Sequence, residues 1–159
     1  MEILVLYYSK GGNTRKLAEA IAEGVAMVDE MTANLKRTDE VSKEDFVSCK
    51  GLIAGSPVYF GTMAAQLKQI FDDFVSVRKK MEGKVGAAFT TSGDPTGGKE
   101  TTMMSIIQAL MIYGMVIVGD PMSATGHYGV GCVGAPEIQY QENGRKLGRR
   151  VAELAKKIN

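Results

Sequence analysis

Two hydrophobic periods alternate along this chain from end to end, and that alternation constrains its fold more than any other feature. Glu2-Ile-Leu-Val-Leu-Tyr-Tyr8, Gly51-Leu-Ile-Ala-Gly-Ser56 and the runs at 84–91 and 115–118 are short and almost continuously apolar. Runs of this length suit strands buried on both faces. Between them the spacing turns helical. Leu17, Ile21 and Val25 recur every four residues. Met63, Leu67, Ile70, Phe71 and Phe74 mark a second stripe, Ile106, Ile107, Leu110 and Met111 a third, and Leu147, Val151, Leu154 and Ile158 a closing one. A short strand is expected at 32–36, a short helix or loop at 42–50, and loop from Asp120 to about Asn143. Strand and helix in strict alternation call for a parallel sheet covered on both faces, with right-handed crossovers. The whole chain, 1–159, reads as one three-layer α/β domain.

Ligands of such sheets bind beyond the C-terminal ends of the strands, and three loops leave strand ends here. The first is Ser9-Lys10-Gly11-Gly12-Asn13-Thr14. Its glycines allow close approach to an anion, its hydroxyls and amide can donate, and it runs into a helix N-terminus, whose dipole favours negative charge. A phosphate is its natural guest; the alternative is a plain turn with Asn13 or Thr14 as N-cap. The second is Pro57-Val58-Tyr59-Phe60-Gly61, where two adjacent aromatics follow a buried run. In a loop both can line a pocket for a flat, amphipathic ligand; otherwise one of them caps the core. The third, Thr91-Ser92-Gly93 through Gly97-Gly98-Lys99, offers hydroxyls and backbone amides to the polar edge of a heterocycle. It also approximates a P-loop between Gly93 and Lys99, with Asp120 in the place of a magnesium-supporting aspartate. Glu100, however, stands where a serine or threonine should hold the metal.

Bulk properties narrow the classes. A chain of 159 residues with 45% hydrophobic content can bury a core without staples. A net charge of +1 gives no basic face for nucleic acid. The two cysteines, Cys49 and Cys132, read as reduced and buried. With no basic-then-apolar leader and no run of membrane-spanning length, a cytoplasmic protein is expected.

Taken together, Tyr8-Ser-Lys-Gly-Gly-Asn-Thr14, Ser56-Pro-Val-Tyr-Phe-Gly-Thr-Met-Ala-Ala65, and Gly97-Gly-Lys-Glu100 with Tyr113-Gly-Met-Val-Ile-Val118 resemble the flavodoxin-like superfamily. Within it the chain is most similar to the WrbA-type NAD(P)H:quinone oxidoreductases. The resemblance implies a five-stranded parallel sheet of order 2-1-3-4-5 holding FMN at the switch point, a placement carried over from flavodoxin. It implies that residues 9–14 bind the FMN phosphate, that residues 57–61 pass beside the isoalloxazine, and that residues 91–98 embrace its pyrimidine edge. It sets Tyr113 where those enzymes carry a histidine near the flavin. This chain departs from them in lacking any tryptophan and in being shorter between its second and third strands. The resemblance also suggests a homo-dimer or homo-tetramer.

Two uses of the flavin follow: reduction by NAD(P)H with transfer to quinone-like acceptors, or an electron carrier docking on protein redox partners. Carriers of this kind are typically strongly acidic, and this chain is balanced, which favours the reductase. A third class, a binding module without flavin, has no need of both the paired glycines and the double aromatic loop. His127, the only histidine, lies in a Gly-rich stretch resembling one in the WrbA-type enzymes. With Tyr113 it is a candidate for proton or substrate contact; the alternative is a surface histidine with no role.

Overall fold

The computed structural model describes residues 1–158. The apolar runs become strands β1 (Glu2–Tyr7), β2 (Thr32–Arg37), β3 (Gly51–Tyr59), β4 (Thr62–Met63), β5 (Val85–Ser92), β6 (Val116–Ile117) and β7 (Gly129–Val133). The helical stripes become α1 (Asn13–Ala26), α2 (Lys43–Ser48), α3 (Ala65–Asp73), α4 (Lys99–Ile112) and α5 (Ile138–Ile158), with a 3-10 turn at Val75–Met81.

The sheet is seven-stranded with path β2-β1-β3-β5-β6; β7 pairs with β5 and β4 with β3. This corrects the expected count of five. β6 pairs in parallel with the start of β5 (Val85 with Val116). β7 pairs in parallel with its end (Ala88 with Gly129 through Ser92 with Val133). The last position in the sheet is therefore occupied by two short segments with residues 118–128 looped out between them. β4 is an antiparallel return at the tip of β3.

The unforeseen strand β7 carries glycines at 129 and 131, each of which weakens a strand by roughly 0.5–1 kcal/mol. Val130 and Cys132 are 3% and 0% exposed. Burying such side chains is worth about 1.5–3 kcal/mol for a valine-sized group, which outweighs the glycine penalty.

Alternation along β1 divides the core. Ile3, Val5 and Tyr7 face α1 and α5 through Leu17, Ile21, Leu147 and Val151. Leu4 and Leu6 face the opposite layer with Phe46, Leu67, Phe71, Ile106 and Leu110. Helices α1 and α5 approach very closely. A Cβ on Gly24 would lie 2.0 Å from the Arg145 carbonyl oxygen, and one on Gly148 would lie 2.0 Å from that of Ile21.

The helix starts differ. α2 has a full capping box, Ser42 and Asp45 bonding each other's backbone amides. At its other end the Lys84 ammonium donates to the Phe46 and Val47 carbonyls at 3.0 and 2.7 Å. α1 and α4 begin at Gly12 and Gly98, with no side-chain cap on either. Among the described residues no helix is long and apolar enough to cross a membrane.

Candidate functional site

All three loops gather at the C-terminal ends of β1, β3 and β5, with the end of β7 beside them. They enclose an open cavity of about 640 Å³ lined by residues from 9–14, 57–59 and 91–93 and by Gly134. That size lies in the ordinary range for cofactor sites. Among the described residues no carboxylate lines it, and Lys10 is the one charged residue on its wall. This donor set suits an anion.

The first loop leaves β1 at Tyr8 and is held by the Gly12 amide, which donates to Ser9 Oγ at 3.1 Å. Gly12 is left-handed (φ 92°) and is itself the N-cap, so neither Asn13 nor Thr14 caps the helix. Thr14, 2% exposed, shares a 2.8 Å hydroxyl–hydroxyl bond with Thr91 and ties the first loop to the third. A glycine at this position, in place of a side-chain cap, forgoes only a few tenths of a kcal/mol of helix stability. It leaves the first-turn amides and the positive end of the dipole facing the cavity.

Gly11 and Gly93 carry the fit to a bound group. Neither has a left-handed φ, and a Cβ on either would meet nothing within 4 Å. Both line the cavity. The fold makes no demand for glycine at these two positions, whereas a closely seated ligand would.

The second loop is a two-residue hairpin. Val58 pairs with Met63 and Tyr59 with Thr62, leaving Phe60 and Gly61 as the turn. Both have positive φ, 51° and 77°, as a type I′ turn requires. Phe60 is a bulky residue in a conformation it disfavours, and its ring is fully exposed. Tyr59 lines the cavity while Phe60 and Gly61 lie outside its wall, so the two aromatics separate. The Tyr59 ring meets Tyr8 edge-on at 6.2 Å. Burial first, then the Tyr8 hydroxyl, raises the Tyr59 phenol above its ordinary pKa and keeps it a neutral donor.

The hairpin is stitched in place. Ser56 Oγ accepts from the Ala64 amide at 2.8 Å, and Thr90 donates to the Ser56 carbonyl at 2.7 Å. Thr101, which the sequence did not single out, donates to the Gly61 and Gly98 carbonyls at 2.6 and 3.1 Å. A Cβ on Gly98 would lie 2.9 Å from Gly61 Cα, so these two glycines let the second and third loops touch.

In the third loop, Thr91, Ser92 and Gly93 line the cavity, while Gly97 and Gly98 lie outside its wall. Asp94 closes a turn by accepting from the Thr96 amide and hydroxyl at 2.8 and 2.7 Å. The P-loop alternative does not hold. Lys99 lies on a different cavity, and the Asp120 carboxylate is occupied by bonds from the Thr125 hydroxyl and the Thr125, Gly126 and His127 amides. Gly134, also missed, joins the cavity wall, and its amide donates to the Ser92 carbonyl at 2.8 Å.

The two catalytic candidates are not brought here. Tyr113 sits at the opposite, N-terminal edge of the sheet, where Gly114 and Val116 bond Gly83 and Lys84, just before β5. It is 4% exposed, packs on Phe46 and Phe71, and donates to the Phe71 carbonyl at 2.7 Å. Burial pushes its phenol up to about 12. It is a core residue: α4 carries it the full depth of the sheet away from the loops. His127 is exposed and lines a separate cavity of about 230 Å³ with Lys99, Glu100, Met103, Thr125 and Tyr128.

Residues 1–129 match the protein family described as NADPH-dependent FMN reductase. A flavodoxin of Aquifex aeolicus is 37% identical over 158 residues, covering 96% of this chain and 85% of its own. An NAD(P)H dehydrogenase (quinone) of Archaeoglobus fulgidus is 33% identical, covering 98% of both. The crystal structure of a WrbA-like flavodoxin from Agrobacterium tumefaciens superposes with a TM-score of 0.84 at 25% identity, covering 99% of both chains.

Proposed function

This chain belongs to the NADPH-dependent FMN reductase family, and on that premise we propose that it is an FMN-dependent oxidoreductase taking electrons from NAD(P)H and passing them to quinones or similar acceptors. The observation that carries this reading is the cradle itself: two glycines the fold does not need, beside an uncapped helix start, on a wall free of carboxylates.

Residues 9–14 would hold the phosphate through Ser9, Thr14 and the first-turn amides of α1. Pro57, Val58 and Tyr59 would lie along the ring system and exclude water from one side of it. Thr91, Ser92, Gly93 and Gly134 would bond its polar edge. FMN held there would supply the redox chemistry between a nicotinamide donor and an acceptor. The protein's part is to fix the ring and set its surroundings. The hairpin is tied at its base by the Ser56–Ala64 bond, with Thr90 bonding Ser56 in turn, and at its turn by Thr101 on the Gly61 carbonyl.

The relative named flavodoxin favours a second reading, a carrier between protein partners. An anaerobic titration of FMN-loaded protein with NADPH, then NADH, separates the two. Rapid bleaching reversed by added quinone is the expected result. A yellow protein that only dithionite bleaches marks a carrier, and a chain that takes up no FMN overturns both. We also infer one FMN-binding domain over 1–159, a cytoplasmic location and a homo-dimer or homo-tetramer, which cell fractionation and size exclusion would test.

A further inference from the structure

The looped-out residues 118–128 are built as a firm structure. Asp120, 2% exposed, accepts four hydrogen bonds from Thr125, Gly126 and His127 at 2.6–3.1 Å. Arg150 and Lys146 of α5 donate to the Asp120 and Ser123 carbonyls. A Cβ on Gly119 would lie 1.9 Å from the His127 carbonyl oxygen, so the two arms of the loop are in contact.

This construction sets Thr125, His127 and Tyr128 opposite the first turn of α4 and encloses the cavity of about 230 Å³. Among the described residues, the side chains of Lys99, Glu100, His127 and Tyr128 make no hydrogen bond or ion pair with the protein, and the Tyr128 ring is half exposed. An ammonium, a carboxylate, an imidazole and an aromatic face thus share one small cavity with no partner for any of them. The cavity adjoins the flavin cradle through two elements. The third loop runs from Gly93 on one cavity to Lys99 on the other, and the end of β7 with the residue after it runs from Gly131 to Gly134 likewise. Three residues of strand cover about 10 Å, within reach of an extended dinucleotide.

We propose that this second cavity binds the adenosine-phosphate end of the reduced nicotinamide donor, with Tyr128 against the purine, Lys99 on a phosphate and Glu100 on ribose hydroxyls. The proposal rests on the reductase reading above. A purine stacks on any aromatic face, an ammonium is a compact phosphate partner, and a carboxylate beside a ribose accepts its hydroxyls. His127 borders the phosphate. Asp120 touches no ligand; it is a positioning residue that holds Thr125 and His127 in place.

The test uses FMN-loaded, full-length protein and two probes without a nicotinamide, 5′-ADP and 2′,5′-ADP, titrated by calorimetry. Binding of either is expected to weaken about tenfold in Tyr128→Ala and in Lys99→Ala, a loss of about 1.4 kcal/mol. It should stay near the parent value in Tyr128→Phe, which keeps the stacking face. Steady-state KM for NAD(P)H should rise in parallel, with kcat changed much less. Stronger binding of 2′,5′-ADP would mark NADPH as the donor, and stronger binding of 5′-ADP would mark NADH. If NAD(P)H bleaches the parent protein while Tyr128→Ala and Lys99→Ala leave both probe affinity and KM unchanged, this inference fails and the reductase reading stands. A parent that NAD(P)H never bleaches overturns the reductase reading instead, whatever the probes do.

Discussion

At the scale of single residues, glycine has opposite meanings in different parts of this chain. At positions 24 and 148 it is demanded by the backbone across from it. At positions 11 and 93 the protein makes no such demand. Gly11→Ala and Gly93→Ala should therefore leave the apoprotein as stable as the parent, or stabilise it by about 0.4–1 kcal/mol by restricting the unfolded chain. The same substitutions should weaken FMN binding. Chemical denaturation of the apoprotein beside flavin-fluorescence titration checks both halves. Equal FMN affinity in the two variants would remove the cradle from the argument. The sequence shows the paired glycines but not which of them the fold requires, because that depends on what lies opposite each Cα. Tyr113 makes the same point. Its neighbours in sequence match the family pattern, yet only the depth of α4 reveals that it lies at the far end of the sheet, bonded to the Phe71 carbonyl.

At the scale of elements, long periodic segments were legible and short or glycine-broken ones were not. α1, α3, α4, β1 and β5 follow from spacing alone, as does β3 up to Ser56; its extension through Pro57 to Tyr59, expected as loop, does not. α5 begins at Ile138, well before its apolar stripe, because its first turns are polar and gave no hydrophobic signal. β7 was hidden by its glycines. The contact between α1 and α5 yields a prediction at this scale. Gly148→Ala drives a methyl into the Ile21 carbonyl and should cost about 1–3 kcal/mol, seen as a lower denaturation midpoint with an unchanged m-value.

The loop at 118–128 yields another prediction. Burial alone would raise the Asp120 pKa, but the Thr125 hydroxyl and the amides of His127, Thr125 and Gly126 outweigh it and hold the carboxyl below its ordinary value. A carboxyl depressed in the folded state stabilises above its unfolded pKa of about 3.9, and the benefit disappears as pH falls through the folded value. Asp120→Asn should cost about 1–3 kcal/mol near neutrality, and its deficit relative to the parent should shrink below about pH 4. Stability measured from pH 7 to pH 3 checks this; a deficit constant with pH would mean the charge is not what holds the loop.

At the scale of the whole molecule, the two cores place both cysteines beyond the reach of reagents. Cys49 and Cys132 are 0% exposed, and burial pushes each thiol up to about 11. A thiolate is the reactive form. Native protein at pH 7–8 should resist Ellman's reagent, and both thiols should react in denaturant. Prompt labelling of the native protein would mean that one of the layers opens readily. The layered architecture was readable in the sequence because it rests on periodicity. The precise shape of the pocket was not, since it depends on loops from separate strands meeting, as Thr14 meets Thr91 and Gly61 meets Gly98.

The break in the last strand position also bears on how the molecule avoids sticking to its own kind. A sheet margin offers a row of unpaired amides and carbonyls to any similar margin, and long flat margins recruit neighbours. Here one margin is only two residues of β6 and five of β7, interrupted by a loop. The other, β2, ends in Lys36 and Arg37. Neither presents a long uncharged template. Shortening 118–128 until β6 and β7 fused would make one unbroken border, and the cell would then hold a protein able to extend its own sheet from molecule to molecule.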